Sequence, residues 1–325
     1  MPLANLPDIC YTDKNMLTGK SEVTAVLVSV CMLVYQQRDL VSQAIDSVLC
    51  QQTDFEYEII IGDDCSTDGT AEVLQRYARM HPDRIRLLRQ PINVGPVRNA
   101  FDVLRLARGE YLAFLEGDDF WISPSKLQNQ VDYLRSHPEC ALVYHACQVI
   151  DSDGNAVRIL RQKKPISTLD DLYPSGHIHM ATSTMVGRHI FAEGSPYYDL
   201  FGYTYFVGDI ILKAAYLKEG TIAYLDVVHS CYRKVTSGGA NYSSQDKNLQ
   251  RLDAVRAYRA VRHLYGHANA RGATDFQMRV LRDVFQDYRH RKKRLQCLKV
   301  FFTQMTPYEQ KEYIRQWLLQ KQEKP

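Results

Sequence analysis

The sequence predicts an α/β fold in which helices flank a mostly parallel sheet. In the first half of the chain, short apolar segments alternate with segments whose apolar residues recur at helical spacing. Residues 23–34 (VTAVLVSVCMLV) are apolar and rich in β-branched side chains, as expected of a strand buried on both faces. Strands separated by helices of about 10–15 residues are typical of βαβ units, so most strands should be parallel.

The elements can be assigned in order along the chain. Residues 38–49 should form a helix, because Val41, Ile45 and Val48 share one helical face. Up to residue 154 we expect strands at residues 57–61, 84–88, 110–115, 141–144 and 148–150, helices at residues 71–80, 97–107 and 123–136, and a turn at residues 151–154. Beyond it we expect a helix at residues 206–218, a strand at residues 221–225, and helices from about residue 245 that are interrupted at Pro307.

Composition restricts the class of protein. Hydrophobic residues make up 45% and charged residues 24% of the 325 residues, which is typical of a soluble globular protein. No apolar run reaches the roughly 18–20 residues that span a bilayer. The N-terminus lacks a basic stretch followed by an apolar one, so we expect no secretory signal and a cytoplasmic location. The eight cysteines include no CxxC pair, which favours free thiols over zinc or disulfides.

The formal net charge of +3 conceals a basic C-terminal region. From Leu249 onward there are 17 Lys and Arg against 7 Asp and Glu, including the run RHRKKR at residues 289–294. A basic helical region with aromatic residues suits an anionic membrane surface, although a solvated helix face is the simpler interpretation. No nucleic-acid recognition motif accompanies the charges, so we expect no nucleic-acid partner.

Acidic residues follow two of the predicted strands. Asp63 and Asp64 follow the second strand, and Glu116, Asp118 and Asp119 follow the fourth. Ligands of parallel sheets bind at the carboxyl ends of the strands. Carboxylates that repel one another need a cation, and Mg²⁺ takes one or two carboxylates together with substrate phosphates. The segment EGDD therefore favours a metal–diphosphate site over a solvated turn.

Other motifs leave two interpretations open on local grounds. Arg98 lies in NVGPVRN, where a helix N-terminus could attract phosphate, but an arginine on a helix is usually on the surface. Asp209 in VGDII could favour the start of a helix electrostatically or act as a general base. Trp121 could stack on a sugar ring or pack internally. His177 and His179 could be metal ligands, but with no third ligand nearby an acceptor or loop role is favoured.

The segments VSVCMLVYQQRDLVSQAIDSVLCQQTDFEYEIIIGDDCSTDGT and NVGPVRNAFDVLRLARGEYLAFLEGDDFW resemble the N-terminal half of an inverting family-2 glycosyltransferase with the GT-A fold. The resemblance extends over residues 23–144, and GDIIL with YLDVVHSCYRK resembles the later region more loosely. It implies a Rossmann-like GT-A domain at residues 21–244, with a nucleotide-sugar half (21–150) and an acceptor half (151–244). A segment of residues 1–20 precedes it, and a helical C-terminal extension (245–325) follows.

The resemblance also implies the roles of individual residues. Asp209 would be the catalytic base, and Asp118 and Asp119 would hold Mg²⁺ or Mn²⁺. The nucleotide would contact Tyr35, Asp63, Asp64, Asn93, Arg98 and Glu116. Apart from the resemblance, we expect the acceptor to contact His179, Trp121 and Arg233.

Two positions depart from the family pattern. Glu116 replaces the first Asp of the Asp-x-Asp metal motif, which keeps the charge but lengthens the side chain by one methylene group. Val235 occupies the position where the family often has a histidine after Tyr-Arg.

The expected function is transfer of a sugar from a nucleotide-diphospho-sugar, most simply a UDP-sugar, to a saccharide or lipid-linked acceptor hydroxyl. The product would be a cell-surface polysaccharide or glycolipid, and the enzyme could be peripheral on the inner face of the membrane. The alternatives are a nucleotidyltransferase and a degenerate glycosyltransferase that serves as a scaffold. A dinucleotide oxidoreductase and a P-loop enzyme are disfavoured, because GxGxxG is missing after the first strand and GxxxxGK[ST] is missing altogether.

Overall fold

A ten-stranded sheet forms the centre of the molecule. The computed structural model describes residues 25–172, 180–205, 208–234, 247–266 and 277–284, and the single positions 287, 300, 305, 307, 310, 311 and 314. The strands are β1 (Val28–Val34), β2 (Tyr57–Asp63), β3 (Ile85–Arg89), β4 (Tyr111–Glu116), β5 (Phe120–Trp121), β6 (Cys140–Ile150), β7 (Ala156–Leu160), β8 (Ile166–Ser167), β9 (Val186–Arg188) and β10 (Thr221–Arg233). The α-helices whose bounds lie within the described ranges up to residue 266 are α1 (Val41–Leu49), α2 (Thr70–Met80), α3 (Pro96–Leu104), α4 (Lys126–Ser136), α5 (Gly208–Glu219) and α6 (Lys247–Tyr265), and short 3-10 helices cover Leu169–Leu172, Thr182–Thr184 and Pro196–Tyr203. Residues 277–284 are also helical.

The strand order is β3-β2-β1-β4-β9-β6-β10-β5, with β7 added to β6 and β8 added to β10. Strands β3, β2, β1 and β4 are parallel, and β6 and β10 are parallel to each other. The short β9 lies antiparallel between β4 and β6 and joins the two groups. The predicted α/β class with a mostly parallel sheet is confirmed.

Both faces of the sheet are covered, which explains the unbroken apolar run in β1. Val28, Val30 and Met32 belong to the core on the side of α1, α2 and α4. Cys31, which points the other way, belongs to the core on the side of α3 and α5. Because successive strand residues face opposite sides, a strand between two helical layers has to be apolar at every position.

Two strands are longer than the sequence pattern predicted. Residues 141–150 were expected to form two strands, but β6 continues through His145, which is buried and bonded through Nδ1 to the carbonyl oxygen of Ala146 at 2.8 Å. Strand β10 was expected to end at Leu225, but it continues to Arg233. Irregular register between Leu225 and Ser230 lets β10 keep pairing with β6 where its apolar pattern breaks down.

The beginning of the C-terminal region packs onto the α/β core. Ala257 and Ala260 of α6 are buried in the same cluster as Ile211 and Tyr216 of α5. The basic run at residues 289–294 lies outside the described residues, so its expected contact with a membrane surface stays a prediction. Among the helices that the structure describes, none combines the length and apolar content needed to cross a bilayer.

Candidate active site

A cavity of about 820 Å³ opens at the carboxyl ends of β1, β2 and β4. The cavity is lined by seven of the residues identified from the sequence, which are Tyr35, Asp64, Asn93, Glu116, Asp118, Asp209 and Arg233. Four others, Asp63, Arg98, Asp119 and Trp121, do not belong to its lining. His179 and Val235 lie outside the described residues.

The loop after β1 is tied to the loop after β2. Gln36, with φ of +54°, accepts through Oε1 from the backbone N–H groups of Thr67 and Asp68, both at 3.1 Å. Its own N–H donates to Ser66 Oγ at 3.0 Å. These bonds fix the turn that carries Tyr35 into the cavity lining.

Asp64 and Asp63 have different surroundings, although they are neighbours in sequence. Asp64 Oδ1 accepts from the N–H of Val94 at 2.6 Å, and Oδ2 accepts from the N–H of Gly95 at 2.9 Å. Burial raises the pKa of the Asp64 carboxyl, although these two bonds oppose the change. Asp64 thus fixes the 93–95 loop at the cavity. Asp63 is fully buried and accepts from the N–H of Ser66 at 3.0 Å, so it supports its own loop.

Tyr205 packs directly on the turn before α3. Gly95 has φ of +88°, and a Cβ atom there would lie 2.5 Å from the Tyr205 ring. Tyr205 is in turn held by α6, because its N–H donates to Asp253 Oδ1 at 2.9 Å and Thr204 hydrogen-bonds the same carboxylate. A helix late in the chain therefore sets one wall of the cavity.

Arg98 lies on α3 and does not contact the cavity. Its Nε donates to Asp102 Oδ2 at 3.0 Å, and its guanidinium lies 4.9 Å from the centre of the Phe101 ring. The surface interpretation fits this geometry, and a phosphate contact would require the side chain to leave both partners.

The acidic segment after β4 divides between the cavity and the interior. Glu116 and Asp118 line the cavity, whereas Asp119 is 2% exposed and accepts through Oδ1 from the N–H of Arg233 at 2.8 Å. Burial, with the negative charges of Asp118 and Asp209, raises the pKa of Glu116 to about 7. Burial and the charges of Asp118 and Glu116 raise the pKa of Asp119 well above its usual range. The position of Asp119 favours a structural role, and its metal role stays a prediction.

Arg233 fastens the acidic turn to the end of β10. Its side chain is buried, its Nε donates to the carbonyl oxygen of Asp118 at 3.1 Å, and its Nη2 donates to Gln43 Oε1 at 3.2 Å. Since the guanidinium binds the protein on several sides, its expected acceptor contact stays a prediction.

Asp209 lies at the start of α5 and faces the cavity. Lys213, one helical turn later, donates from Nζ to Asp209 Oδ2 at 2.8 Å. The lysine side chain is 9% exposed and that of Asp209 is 40% exposed, so the ammonium group lies beneath the carboxylate. This contact holds one oxygen of a carboxylate that belongs to the cavity lining.

Trp121 is 4% exposed and packs in the core. Its Nε1 donates to the carbonyl oxygen of Ser183 at 2.9 Å, and Lys126 Nζ lies 4.2 Å from its ring centre. Of the two interpretations left open by the sequence, this geometry favours packing.

Sequence reasoning missed several residues of the cavity. Lys213, Tyr205, Tyr232 and Thr182 all line it, and Thr182 hydrogen-bonds the Glu116 carboxylate. The spacing of four residues between Asp209 and Lys213 on a predicted helix was the one usable signal. Tyr205, Tyr232 and Thr182 reach the cavity from segments whose course through the structure could not be predicted from the sequence.

The oxygen donors of the cavity fit a hard divalent cation that also binds a substrate. Glu116 and Asp118 both line the cavity, and burial together with the charge of Asp118 raises the pKa of Glu116. In the described part of the chain, no three His, Cys, Asp or Glu side chains are grouped so that they could hold an ion. A cation here would therefore need phosphate oxygens as further ligands, as Mg²⁺ commonly does.

Comparisons with known proteins agree with this geometry. A family model described as "Glycosyl transferase family 2" matches residues 29–193, just over half of the 325 residues. The chain is 34% identical over 210 residues to "Uncharacterized protein Rv1520" of Mycobacterium tuberculosis (strain ATCC 25618 / H37Rv), covering 65% of this chain and 59% of that protein. It is 32% identical over 110 residues to the Escherichia coli "UDP-Glc:alpha-D-GlcNAc-diphosphoundecaprenol beta-1,3-glucosyltransferase WfaP", covering 34% and 42% of the two chains.

Among solved structures, S. aureus TarS 1-349 in complex with UDP-GlcNAc is similar, with a TM-score of 0.55 and 20% identity over 80% of this chain and 81% of that chain. At this identity the likeness shows the fold alone, and the expected GT-A fold is confirmed. This chain spans only 59% of the length of the mycobacterial relative.

Proposed function

Because the chain belongs to glycosyl transferase family 2, we propose that it transfers a sugar from a UDP-sugar to a hydroxyl group of a saccharide or lipid-linked acceptor in polysaccharide or glycolipid synthesis. The observation that carries this proposal is the convergence of Asp64, Glu116, Asp118 and Asp209 on one cavity. The expected enzyme class, a glycosyltransferase, is confirmed at the level of the family.

The donor would lie across the carboxyl ends of β1, β2 and β4. The base and ribose would lie near Tyr35 and Asp64, because Asp64 offers acceptor oxygens and fixes the loop that carries Asn93. A UDP-sugar is favoured because TarS binds UDP-GlcNAc and the name of WfaP specifies UDP-Glc as donor.

Mg²⁺ or Mn²⁺ would be held by Asp118, with Glu116 beside it. When bound, such a cation supplies positive charge that stabilises the leaving diphosphate. The protein's own part is to hold both residues at the cavity: Arg233 donates to the Asp118 carbonyl group, and Thr182 hydrogen-bonds the Glu116 carboxylate. Asp119 supports the same turn from the interior.

Asp209 would accept the proton of the attacking hydroxyl group. Lys213 donates to its Oδ2 atom, and the carboxylate is partly exposed and lines the cavity. Attack from the face opposite the diphosphate in one step would invert the configuration at the anomeric carbon. The acceptor would be a lipid-linked sugar or a polysaccharide end, in line with the acceptor that the name of WfaP specifies.

The test is transfer from a panel of nucleotide sugars with Mg²⁺, Mn²⁺ or EDTA, with free UDP as the measured product. Pyrophosphate in place of UDP would indicate a nucleotidyltransferase, and neither product with any donor would favour a scaffold. Asp209→Asn should retain UDP binding but lose about 10²–10⁴-fold in transfer, the usual scale for loss of a general base. Asp199→Asn, an exposed aspartate away from the cavity, is the matched control. Equal transfer by the two variants would reject Asp209 as the base.

A further inference from the structure

Strand β7 forms a basic edge beside the cavity. It pairs antiparallel with one side of β6, and its residues 156–159 are exposed. Residues 156–168 (AVRILRQKKPIST) contain four basic residues and no acidic one. Arg161 pairs with Asp226, and Lys164 pairs with Asp171 at 2.6 Å. Arg158 and Lys163 form no ion pair with any residue that the structure describes.

The strand register directs Arg158 toward the cavity side of the sheet. Arg158 pairs with Val149 of β6, and Val149 pairs on its other side with Tyr232 of β10. Residues paired across neighbouring strands point to the same face, so Arg158 and Tyr232 share a face. Tyr232 lines the cavity, and so does Leu160, two residues beyond Arg158 on the same side of β7. Arg158 therefore lies at the rim, roughly 7 Å along the strand from Leu160.

The backbone at this rim is held in place. Gln148 donates from Nε2 to the carbonyl oxygen of Arg158 at 3.0 Å and to that of Val149 at 2.9 Å. An extra residue, Val157, interrupts the register between Arg158 and Ala156. Such bulges increase the local twist of an edge strand and redirect its side chains. The guanidinium of Arg158 is thus presented from a fixed edge strand.

Charge is distributed unevenly between the floor and the rim of the cavity. The floor carries Glu116, Asp118 and Asp209, and Asp209 is paired with Lys213. Two cations also line the cavity, but Lys213 donates to Asp209 and Arg233 donates to the Asp118 carbonyl oxygen, so the exposed Arg158 is better placed to meet a negatively charged acceptor. Arg158 supplies a cation at the edge of the cavity, on the same face as Leu160 and Tyr232 of its lining. A guanidinium is also well shaped for two-point contact with a carboxylate or a phosphate.

We propose that the acceptor is an anionic saccharide, carrying uronate or phosphate groups, and that Arg158 recognises its charge. This inference rests on the proposed function. The proposal predicts that the protein binds a negatively charged acceptor more tightly than a neutral one. This difference in affinity should disappear when the charge of Arg158 is removed. The exposed Val157 and Ile159, at 60% and 44%, could also suit a lipid surface. The saccharide is favoured because Arg158 shares its face with the cavity lining, whereas Ile159, the next residue, faces the other way.

The first experiment measures binding of tetragalacturonate and of its fully methyl-esterified form by calorimetry at low salt, using the full chain. The wild type should bind the acid at least about fivefold more tightly than the ester, which corresponds to about 1 kcal/mol. Arg158→Gln should bring the two affinities together, and Arg158→Lys should retain part of the preference. Arg76→Gln, an exposed arginine on α2, should leave it unchanged.

The second experiment measures sedimentation with phosphatidylglycerol–phosphatidylcholine vesicles. If the wild type bound the acid and the ester equally and Arg158→Gln lost vesicle binding, the proposal would be overturned in favour of a lipid surface. Equal binding of acid and ester, or no binding of the acid at all, would overturn it in any case. Because these measurements need no donor, they are independent of UDP-sugar turnover, whose failure would reject only the proposed function.

Discussion

The Nε atom of Arg233 donates to the carbonyl oxygen of Asp118 at 3.1 Å, although 115 positions separate the two residues. The N–H of Arg233 also donates to the Asp119 carboxylate. The end of β10 therefore determines where the carboxylate of Asp118 lies in the cavity. A residue expected to contact the acceptor has the geometry of a residue that positions the acidic turn at the proposed metal site.

Replacing Arg233 should therefore weaken metal-dependent donor binding. Arg233→Met removes the bonds to Asp118 and Gln43, and loss of charged hydrogen bonds of this kind should cost roughly tenfold in UDP affinity. The concentration of Mn²⁺ that gives half-maximal UDP binding should rise, and Arg233→Lys should recover part of it. A rise in the acceptor KM alone, with an unchanged Mn²⁺ requirement, would instead support the acceptor role.

Gly95→Ala should damage both stability and donor binding. Gly95 has φ of +88° and ψ of 158°, a conformation that is essentially restricted to glycine, and an added Cβ would meet the Tyr205 ring at 2.5 Å. We expect a loss of about 1–3 kcal/mol in the free energy of unfolding and weaker UDP binding. Urea denaturation and calorimetry measure the two effects.

The control for this variant is Gly154→Ala. Gly154 also has a positive φ, +86°, but a Cβ there would meet nothing within 4 Å. It should lose some stability and keep its UDP affinity. If both variants bound UDP equally well, the contact between Gly95 and Tyr205 would have no part in forming the donor site.

Asp64→Asn should loosen the loop that carries Asn93. An amide has only one acceptor oxygen, so its NH₂ group would face the N–H of Val94 or of Gly95. An unsatisfied buried donor costs about 1–3 kcal/mol, and UDP binding should weaken along with stability. In Asp63→Asn the amide oxygen can still accept from Ser66, so its UDP affinity should change less. If Asp63→Asn weakened UDP binding more than Asp64→Asn did, Asp63 would be the residue that contacts the nucleotide.

Lys126→Met should stabilise the protein at neutral pH. Lys126 is fully buried, its Nζ has no hydrogen-bond partner among the residues described, and burial lowers its pKa well below the usual range. At pH values between the lowered pKa of the folded state and the ordinary lysine value, the unfolded chain therefore binds more protons than the folded chain. The free energy of unfolding should rise as the pH approaches the ordinary lysine pKa of about 10.4.

In Lys126→Met this rise should disappear, and at pH 7 the variant should be more stable by about 1 kcal/mol or more. Thermal and urea unfolding between pH 6 and pH 10 measure both effects. Lower stability of the variant at pH 7 would show that the contact of Lys126 with the Trp121 ring, at 4.2 Å, outweighs the cost of burial.

The sequence was sufficient to predict the positions of residues at the ends of parallel strands. Tyr35, Asp64 and Glu116 lie together because the carboxyl ends of β1, β2 and β4 meet at one edge of the sheet. Strand periodicity could not show which of the two neighbours, Asp63 and Asp64, would line the cavity. The difference is that Asp63 is still part of β2, whereas Asp64 begins the loop. The contacts made by Arg233 could not be predicted either, because its position depends on irregularities that let β10 continue past Leu225.

The bond from Tyr205 to Asp253 has a consequence for how the protein is made. Domains generally begin to fold from the N-terminus during synthesis, and the first four parallel strands are complete by residue 116. Tyr205 cannot be held against Gly95 until α6 has been translated and has left the ribosome. A nascent chain should therefore acquire the parallel strands β1 to β4 well before it can bind a nucleotide, and ribosome-bound chains stalled before and after α6 should differ in UDP binding.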